Sequence, residues 1–579
     1  MVTFQQLKKL SRQPSEAPAG LRVALLGDTA TQFLATALKG MGRLRGVEIE
    51  LYEAEYNQIE RQVLDPSSDL YAFAPDVTIV FQSSHKLLTQ YGKMDPAARA
   101  AVADERLAFV ETICASVPGK VIYYNYPEID DTVFGSFANQ VESSFIYQLR
   151  KLNMGLMNLA SRIPDLYICD LSSIQNKIGR NVMFQSSVYV STEMVLSIDA
   201  LPAVAARTWD VMDAFAGRIR KCLILDLDNT VWGGVIGDDG LENIQLGHGL
   251  GIGKAFSEFQ LWVRKLRERG IILAVCSKNT ESVAREPFER HPDMILRMDD
   301  IAVFMANWDT KVENIRRIQS ILNIGFDSMV FLDDNPFERD MVRTAIPGIT
   351  VPELPEDPGE YLEFLYGENL FETVSYSEGD KDRTKQYQIE SRRAIQRASF
   401  ADEDEYLKSL GMISVVEGFT DFNTPRVAQL SQRSNQFNLR TVRYTEGDIM
   451  RLRESGSHAC FSFTLEDKFG DNGLICVVIL EDKGDASLFV DTWFMSCRVL
   501  KRGMEAFTLN TLVEYARSRG YRRIMGEYIP TAKNAMVADH YTRLGFSDMA
   551  SEDGRRLFVL DVEGYETRNC HIEKQEKKQ

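Results

Sequence analysis

A chain of 579 residues is too long for one ordinary hydrophobic core, because domains run about 100–200 residues; three or four are expected. Its 44% hydrophobic and 26% charged residues are those of a globular protein, and a net charge of −17 argues against nucleic acid and anionic membranes as partners, since both require a basic face to displace counterions. Small phosphorylated substrates stay compatible with that balance, because they need only a local cationic pocket.

The start, MVTFQQLKKLSRQPSEAPAG, has no apolar stretch of signal-peptide length. No run approaches the roughly 18 apolar residues of a membrane span, so a cytoplasmic protein is expected. Eight cysteines are scattered without a CxxC pair and read as reduced thiols. Six histidines show no HExxH-like spacing, which argues against a histidine-built metal site.

The first segment runs to about residue 215. LRVALLGD (21–28) is an apolar run ending in Gly-Asp, and TATQFLATALKGM follows with helical spacing. VEIELYEA (47–54), PDVTIVFQ (75–82) and GKVIYYNY (119–126) repeat the strand pattern with helical stretches between, which predicts a doubly wound α/β domain. His85, in QSSHK, reads as a surface or turn histidine.

The second segment spans about 218–366. KCLILDLD (221–228), IILAVCS (271–277) and DSMVFLDD (327–334) are short apolar runs, each ending in a residue capable of chemistry. Phe256, Phe259, Val263 and Leu266 mark one helix by 3–4 spacing, and Val312, Ile315, Ile318 and Leu322 a second. Ligands of such sheets bind at the carboxyl ends of the strands, so these ends should converge. Residues 367–400 are charged and weakly periodic and read as a linker. The third segment, about 401–562, mixes strands such as ACFSFTLED (459–467) and LICVVIL (474–480) with a helix near 503–519, an α+β pattern; 563–579 reads as a polar tail.

Asp226-Leu227-Asp228-Asn229-Thr230 closes the first strand of the second segment. A carboxylate there can attack phosphorus to form an aspartyl-phosphate. A second carboxylate two residues on points to the same side of an extended chain and can act as acid and then base. The remaining strand ends supply what such a site needs. Ser277 can hold a phosphoryl oxygen, Lys311 can neutralise charge, and Asp333 and Asp334 can complete an oxygen shell suited to Mg²⁺. One of the two, with Asp226 and the backbone carbonyl of Asp228, is the expected ligand set.

Order, context and chemistry resemble the four motifs of the haloacid dehalogenase (HAD) superfamily. Longer strings resemble its class IIIC, the FkbH-like family: LDLDNTVWGGVIGDDG (225–240), FSEFQ (256–260), ILAVCSKN (272–279), HPDMILRMDDIA (291–302), VFLDDNPFERD (330–340), SQRSNQFNLRT (431–441) and DTWFMSCRVLKRGME (491–505). LLGDTATQFL and YAFAPDVTIVF extend the resemblance to the first segment. The resemblance implies transfer of a glyceryl unit from 1,3-bisphosphoglycerate, a glycolytic acyl phosphate, to an acyl carrier protein, with dephosphorylation, in polyketide or related biosynthesis. It implies Mg²⁺ as cofactor, and Thr230 and Asn279 as substrate-binding residues beside Asp226, Asp228, Ser277 and Lys311.

Two features of the residues bear on this. The stretches from Asp228 to Phe256 and from Ser277 to Lys311 are too short for a lid domain, so the site is open to a macromolecular substrate unless the flanking domains act as lids. Cys276, beside Ser277, is either a thiol that holds the glyceryl group as a thioester or a packing residue; a reactive thiol there needs its pKa lowered by Mg²⁺ and Lys311. The third segment resembles the GNAT acyltransferase fold through Tyr541–Phe546 and through Arg498-Val499-Leu500-Lys501-Arg502-Gly503, in which Lys501 stands where a glycine is expected. Either it is purely structural, or its groove holds a phosphopantetheine arm with Arg498 and Arg502 near the phosphate. Gly27-Asp28-Thr29 resembles the first block of SGNH hydrolases, but no DxxH block follows, which reads as a degenerate docking domain.

The expected architecture is therefore α/β: a HAD-type Rossmannoid core flanked by an SGNH-like α/β domain and a GNAT-like α+β domain. The alternatives to carrier loading are a Mg²⁺-dependent phosphatase acting on a free metabolite and a non-catalytic scaffold.

Overall fold

The computed structural model describes residues 2–14, 20–249, 251–376, 385–389, 393, 400, 402–496, 499–531, 533–552 and 554–575. Its contacts divide the chain into two units, Met1–Asp213 and Ala214–Gln579.

In the first unit, apolar runs such as VTIVF form strands buried on both faces, as a parallel sheet covered by helices requires. β1 (Leu21–Gly27), β2 (Ile49–Glu53), β3 (Val77–Phe81), β4 (Lys120–Tyr124) and β5 (Leu166–Cys169) lie in the order β2-β1-β3-β4-β5, all parallel. The order reverses between β1 and β3, and Asp28 and Ser83 stand on either side of that point. The Ser83 backbone N–H donates to both carboxylate oxygens of Asp28 at 3.0 Å, and burial pushes the Asp28 carboxyl up to about 7. His85 is not the surface or turn residue expected. It lies in the helix Ser84–Lys93, its ring 4.8 Å from that of Phe184 and 4.9 Å from that of Tyr189. Burial, reinforced by Arg180, holds its pKa down to about 4, so it is a packed neutral imidazole.

The second unit contains two sheets. β6 (Cys222–Leu225), β7 (Ile272–Ser277), β8 (Ile301–Ala306) and β9 (Met329–Leu332) form a parallel sheet in the order β8-β7-β6-β9. Leu225 is in register with Val275 and Leu332, so Asp226 and Asp333, which follow their strands, stand at one level with Cys276 near the end of β7. Strand alternation sorts the side chains. Leu223, Leu225, Leu273, Val275, Val330 and Leu332 pack with the helix Ile252–Glu268 on one face. Ile224, Ala274, Cys276 and Phe331 pack with the helix Lys311–Leu322 on the other.

The second sheet is mixed and eight-stranded. It comprises β10 (Met412–Glu417), β11 (His458–Asp467), β12 (Gly470–Asp482), β13 (Ser487–Met495), β14 (Arg523–Tyr528), β15 (Ser547–Glu552), β16 (Arg555–Asp561) and β17 (Ile572–Gln575), in the order β15-β16-β14-β13-β12-β11-β10-β17. The end of the chain is thus more than a polar tail: β17 pairs with β10 as an edge strand and buries Ile572. The stretch read as a linker is also anchored where it is described. Tyr387 joins the core under β9, and Arg393, 3% exposed, donates to Asp467 at 2.7 Å.

β13 and β14 pair in parallel only from Ser487 to Phe489 and then diverge. The gap is filled by the chain itself. Met495 N–H donates to the Phe437 carbonyl (3.1 Å), Leu439 N–H to the Trp493 carbonyl (3.3 Å), and Ile529 N–H to the Leu439 carbonyl (2.9 Å). Arg440 ties the insert to Asp491 (2.7 Å) and Glu527 (2.6 Å). Among the described residues no helix is long and apolar enough to cross a membrane.

Candidate active site

The site is built at the carboxyl ends of β6, β7 and β9. Asp226 continues β6, its N–H donating to the Leu332 carbonyl at 3.0 Å, and the chain then turns tightly, with Val231 N–H donating to the Leu227 carbonyl (2.8 Å). Asn229 takes the left-handed conformation at φ 52°, tolerated by asparagine, and its side-chain oxygen accepts from Gly234 N–H (2.9 Å). Trp232 and Gln260 hold this turn from inside. Gln260 is fully buried; its amide donates to the Val231 carbonyl (2.9 Å) and accepts from Ile295 N–H (2.9 Å) and Leu296 N–H (3.2 Å).

Lys311 is the first residue of its helix, whose entry is fixed by a capping box between Thr310 and Glu313. Its ammonium lies 2.8 Å from Asp226 and 2.5 Å from Asp333, and it is 4% exposed. Burial alone would lower its pKa; the two carboxylates outweigh burial and push it up, so it is a permanent cation. Asp333 is fully buried. Its other oxygen accepts from Asn335 N–H (2.9 Å), and desolvation with the nearby Asp226 charge raises its carboxyl to about 7. Asp334 is half-buried, and burial with Asp226 raises it as well. Carboxylate oxygens of Asp226, Asp333 and Asp334 lie within 4.8 Å of one another, an oxygen-only group of the kind that holds a hard divalent cation.

The structure brings Asp226, Asp333, Asp334 and Lys311 together and sets the other predicted residues around them. The Asp228 carboxylate stands outside the acidic trio. It accepts from Trp232 Nε1 (3.0 Å), Ile236 N–H (3.1 Å) and Asn279 Nδ2 (2.9 Å). Asn279 also donates to Ser277 Oγ at 3.2 Å, so it links these two residues. Thr230 is fully buried and serves the loop: its hydroxyl accepts from Asp334 N–H (3.1 Å). It therefore positions Asp334 and is not exposed to a substrate. Arg339, 6% exposed and not singled out from sequence, donates to the carbonyls of Asp333 (2.9 Å) and Asp334 (2.7 Å) and fixes that pair.

Cys276 lies on the opposite face of β7 from Val275, fully buried in the core beneath the Lys311 helix, its thiol 3.7 Å from the Lys311 carbonyl. Burial raises its pKa, against the smaller opposing effect of Lys311. The thiolate that a covalent role needs is therefore disfavoured. Arg498 lies outside the described residues. Arg502 is 7% exposed and ion-paired to Asp467 at 3.3 Å, a carboxylate that Arg393 also contacts, so it is turned into the domain and not toward a groove. The groove is itself filled by residues 437–440, whose backbone uses the free edges of β13 and β14. Lys501 adopts φ 64°, keeping the left-handed backbone that a glycine would take at lower cost.

No lid domain covers the centre among the described residues. Between Asp228 and the helix Ile252–Glu268 the described residues form only a four-residue helix, Ile236–Asp239, and two isolated bridges, Asp228 to Trp232 and Gly233 to Gln245. Between Ser277 and Lys311 there are the helix Glu281–Arg290, a short 3₁₀ turn and β8. Two large aromatic side chains mark the strand ends on either side: Trp308, after β8, is 75% exposed, and Phe337, after β9, is 65% exposed.

The family described as FkbH, N-terminal domain, matches residues 22–213. The N-terminal part of the protein BF1531 from Bacteroides fragilis, which contains a phosphatase domain and is complexed with Mg, is 63% identical; the match covers 65% of this chain and 100% of that one, with a TM-score of 0.64. Two further solved structures are similar to the C-terminal quarter. The ribosomal-protein-S18-alanine N-acetyltransferase from Escherichia coli is 15% identical, covering 26% of this chain and 94% of that one (TM-score 0.21). The GNAT domain of S. lividans PAT is 20% identical, covering 25% and 89% (TM-score 0.21). A search of curated proteins gave no match.

Proposed function

The chain belongs to the FkbH-like family and carries a HAD-type phosphatase domain, and from this premise we propose that it loads a glyceryl unit from 1,3-bisphosphoglycerate onto an acyl carrier protein and removes the remaining phosphate. The observation that carries the reading is the Lys311-bridged trio Asp226, Asp333 and Asp334 in a centre without its own lid domain. A site walled off by a lid would suit a free metabolite; this one admits a substrate on a carrier arm.

Mg²⁺ suits the oxygen-only trio, the similar Bacteroides fragilis protein is complexed with Mg, and when bound the ion would neutralise carboxylate and phosphoryl charge. Asp333 has one oxygen on Lys311 and the other on Asn335 N–H, so Asp226 and Asp334 are the better direct ligands. Asp228, whose carboxylate is taken by three donors, offers its backbone carbonyl. Chelation by EDTA should abolish phosphate release. Asp334→Asn should raise the Mg²⁺ needed for half-maximal activity by more than about a hundredfold, beyond the range usual for a supporting residue. Full activity in EDTA would refute the assignment.

The carrier thiol attacks the acyl carbon of the acyl phosphate, forming the thioester and releasing inorganic phosphate. Asp226 then attacks the phosphorus of the remaining ester to form an aspartyl-phosphate. Asp228 gives a proton to the departing glyceryl oxygen and takes one from the water that hydrolyses Asp226. Lys311 and Ser277 hold the phosphoryl oxygens while charge builds. A carrier thiol is preferred over Cys276 as acceptor because Cys276 is buried on the wrong face of β7. Cys276→Ala should accordingly load the carrier at near-native rate and form no less acyl-enzyme than the wild type. Loss of loading in a folded Cys276→Ala protein would restore the covalent route.

The test is intact mass spectrometry of a phosphopantetheinylated carrier incubated with the protein, 1,3-bisphosphoglycerate and Mg²⁺. A glyceryl adduct supports the proposal. Phosphate release with no adduct on any carrier would favour the phosphatase acting on a free metabolite.

A further inference from the structure

The phosphatase domain turns large apolar side chains outward mainly at one place. Between residues 218 and 366 four of them are exposed among the described residues: Val235, Trp308, Phe337 and Tyr366. Single exposed apolar residues are ordinary on a protein surface. Three of these four, however, stand on the loops that build the centre. Val235 precedes Ile236, whose N–H donates to the Asp228 carboxylate at 3.1 Å. Trp308 lies three residues before Lys311, and Phe337 three residues after Asp334.

Both aromatic residues sit on braced backbone. Asn307 donates its N–H to the Ser277 carbonyl (3.3 Å) and exchanges side-chain amide hydrogen bonds with Asn314 (3.1 and 2.8 Å), while Asp309 pairs with Arg317 at 2.5 Å. Phe337 donates its N–H to Asn335 Oδ1 (2.9 Å), and the next residue, Glu338, is buried and receives Lys278 from the end of β7 at 2.5 Å. Holding two aromatic side chains in water on fixed loops does not stabilise the fold, because stabilisation comes from taking apolar surface out of water. It does preorganise an apolar contact for a ligand that arrives. The sheet order sets the spacing. Trp308 follows β8 and Phe337 follows β9, three strand intervals apart, roughly 14 Å at ~4.8 Å each, with Asp226 at the end of β6 between them.

A substrate that uses this contact must carry apolar surface beyond its phosphate. A glyceryl unit, three carbons each bearing oxygen, supplies little. The pantetheine arm of a carrier supplies it through the thioester sulfur and the methylenes on either side of its amides. We propose that Trp308 and Phe337, with Val235 beside them, form an apolar collar that grips this arm and makes the phosphatase selective for a phosphoglyceryl unit carried on the arm over the same unit without it. The collar rests on the carrier reading given above and names the residues that recognise the arm. Binding energy gathered on the non-reacting arm holds the phosphate ester against Asp226, the task that lid closure performs in other enzymes.

The test uses the full-length protein with Mg²⁺ and two phosphate esters, S-(3-phosphoglyceryl)pantetheine and the S-methyl thioester of the same acid. They share the phosphate, the glyceryl unit and an uncharged carbonyl, and differ only in the arm. The readout is the ratio of their kcat/KM values, because damage to the centre lowers both and leaves the ratio unchanged. The wild type should favour the pantetheine thioester by about a hundredfold, and Trp308→Ala and Phe337→Ala should each lower the ratio about tenfold, the low end of what one apolar contact contributes to discrimination. Trp308→Phe should keep most of it. The collar is overturned, with the carrier reading intact, if the wild type hydrolyses the two thioesters alike or if neither alanine substitution moves the ratio. It is also overturned if the substitutions slow dephosphorylation of the phosphoglyceryl carrier protein but not of the pantetheine thioester, which would make these residues a surface for the carrier's own fold. If the phosphoglyceryl carrier is never dephosphorylated, the carrier reading fails and the collar with it.

Discussion

Replacing Asp226 by asparagine should lower hydrolysis of a phosphate ester by about three to six orders of magnitude, the range found when a covalent nucleophile is removed. The amide keeps the shape of the side chain and loses the charge that attacks phosphorus. Its structural cost is small, because Lys311 keeps Asp333 as a partner at 2.5 Å. The variant should therefore melt close to the wild type. It should also do something a misfolded protein cannot. Acyl transfer from the acyl phosphate precedes the Asp226 step, so the carrier should accumulate an adduct heavier than the glyceryl product by one phosphoryl group. Near-native hydrolysis of a phosphate ester by this variant would sink the aspartyl-phosphate mechanism. A glyceryl adduct without the extra phosphoryl group would place dephosphorylation elsewhere.

The centre was legible in the sequence because parallel strands buried on both faces have a plain signature: a short apolar run that stops at a polar residue. LILDLD, LAVCS and VFLDD each report a strand and the side chain at its end, and the register of Leu225 with Val275 and Leu332 places those ends side by side. Lys311 was legible as chemistry but not as geometry, since its reach to Asp226 depends on the capped helix start at Thr310. Gln260, Trp232 and Arg339 were not legible as site residues. A glutamine within an amphipathic helix and an arginine beyond the acidic pair look like solvent-facing positions, and only the tertiary fold brings them onto the site loops. Edge strand β17 escaped notice for a related reason: IEKQ buries one side chain, and its backbone pairing with β10 leaves no apolar pattern. Arg502 failed in the opposite direction. Its spacing fits a phosphate-binding loop, whereas its actual partner is Asp467, 35 residues away in the chain.

Lys311→Met should separate the two roles of that lysine, structural and chemical. Without the ammonium, Asp226, Asp333 and Asp334 are left as three carboxylates within 4.8 Å of one another, two of them buried, with no side-chain cation between them. Removing one partner of a buried ion pair costs about 3–5 kcal/mol, because the charge left behind is uncompensated. Spread over a unit of this size, Ala214–Gln579, that is a fall of about 4–7 °C in the melting temperature in EDTA. A divalent cation bound by the trio supplies the missing positive charge. Mg²⁺ should therefore raise the melting temperature of Lys311→Met more than it raises that of the wild type, and return most of the loss. Activity should not return with it. Mg²⁺ can balance the resting carboxylates, but it does not replace the Lys311 ammonium as a second cation for the transferring phosphoryl group, so hydrolysis of a phosphate ester should stay down by about a thousandfold or more. Thermal melts of both proteins in EDTA and in Mg²⁺, with phosphate release measured on the same samples, decide the matter. Equal Mg²⁺ stabilisation of wild type and variant would show that the cation and Lys311 do not balance the same carboxylates. Recovery of turnover along with stability would show that Lys311 holds the site together and takes no part in the transfer itself.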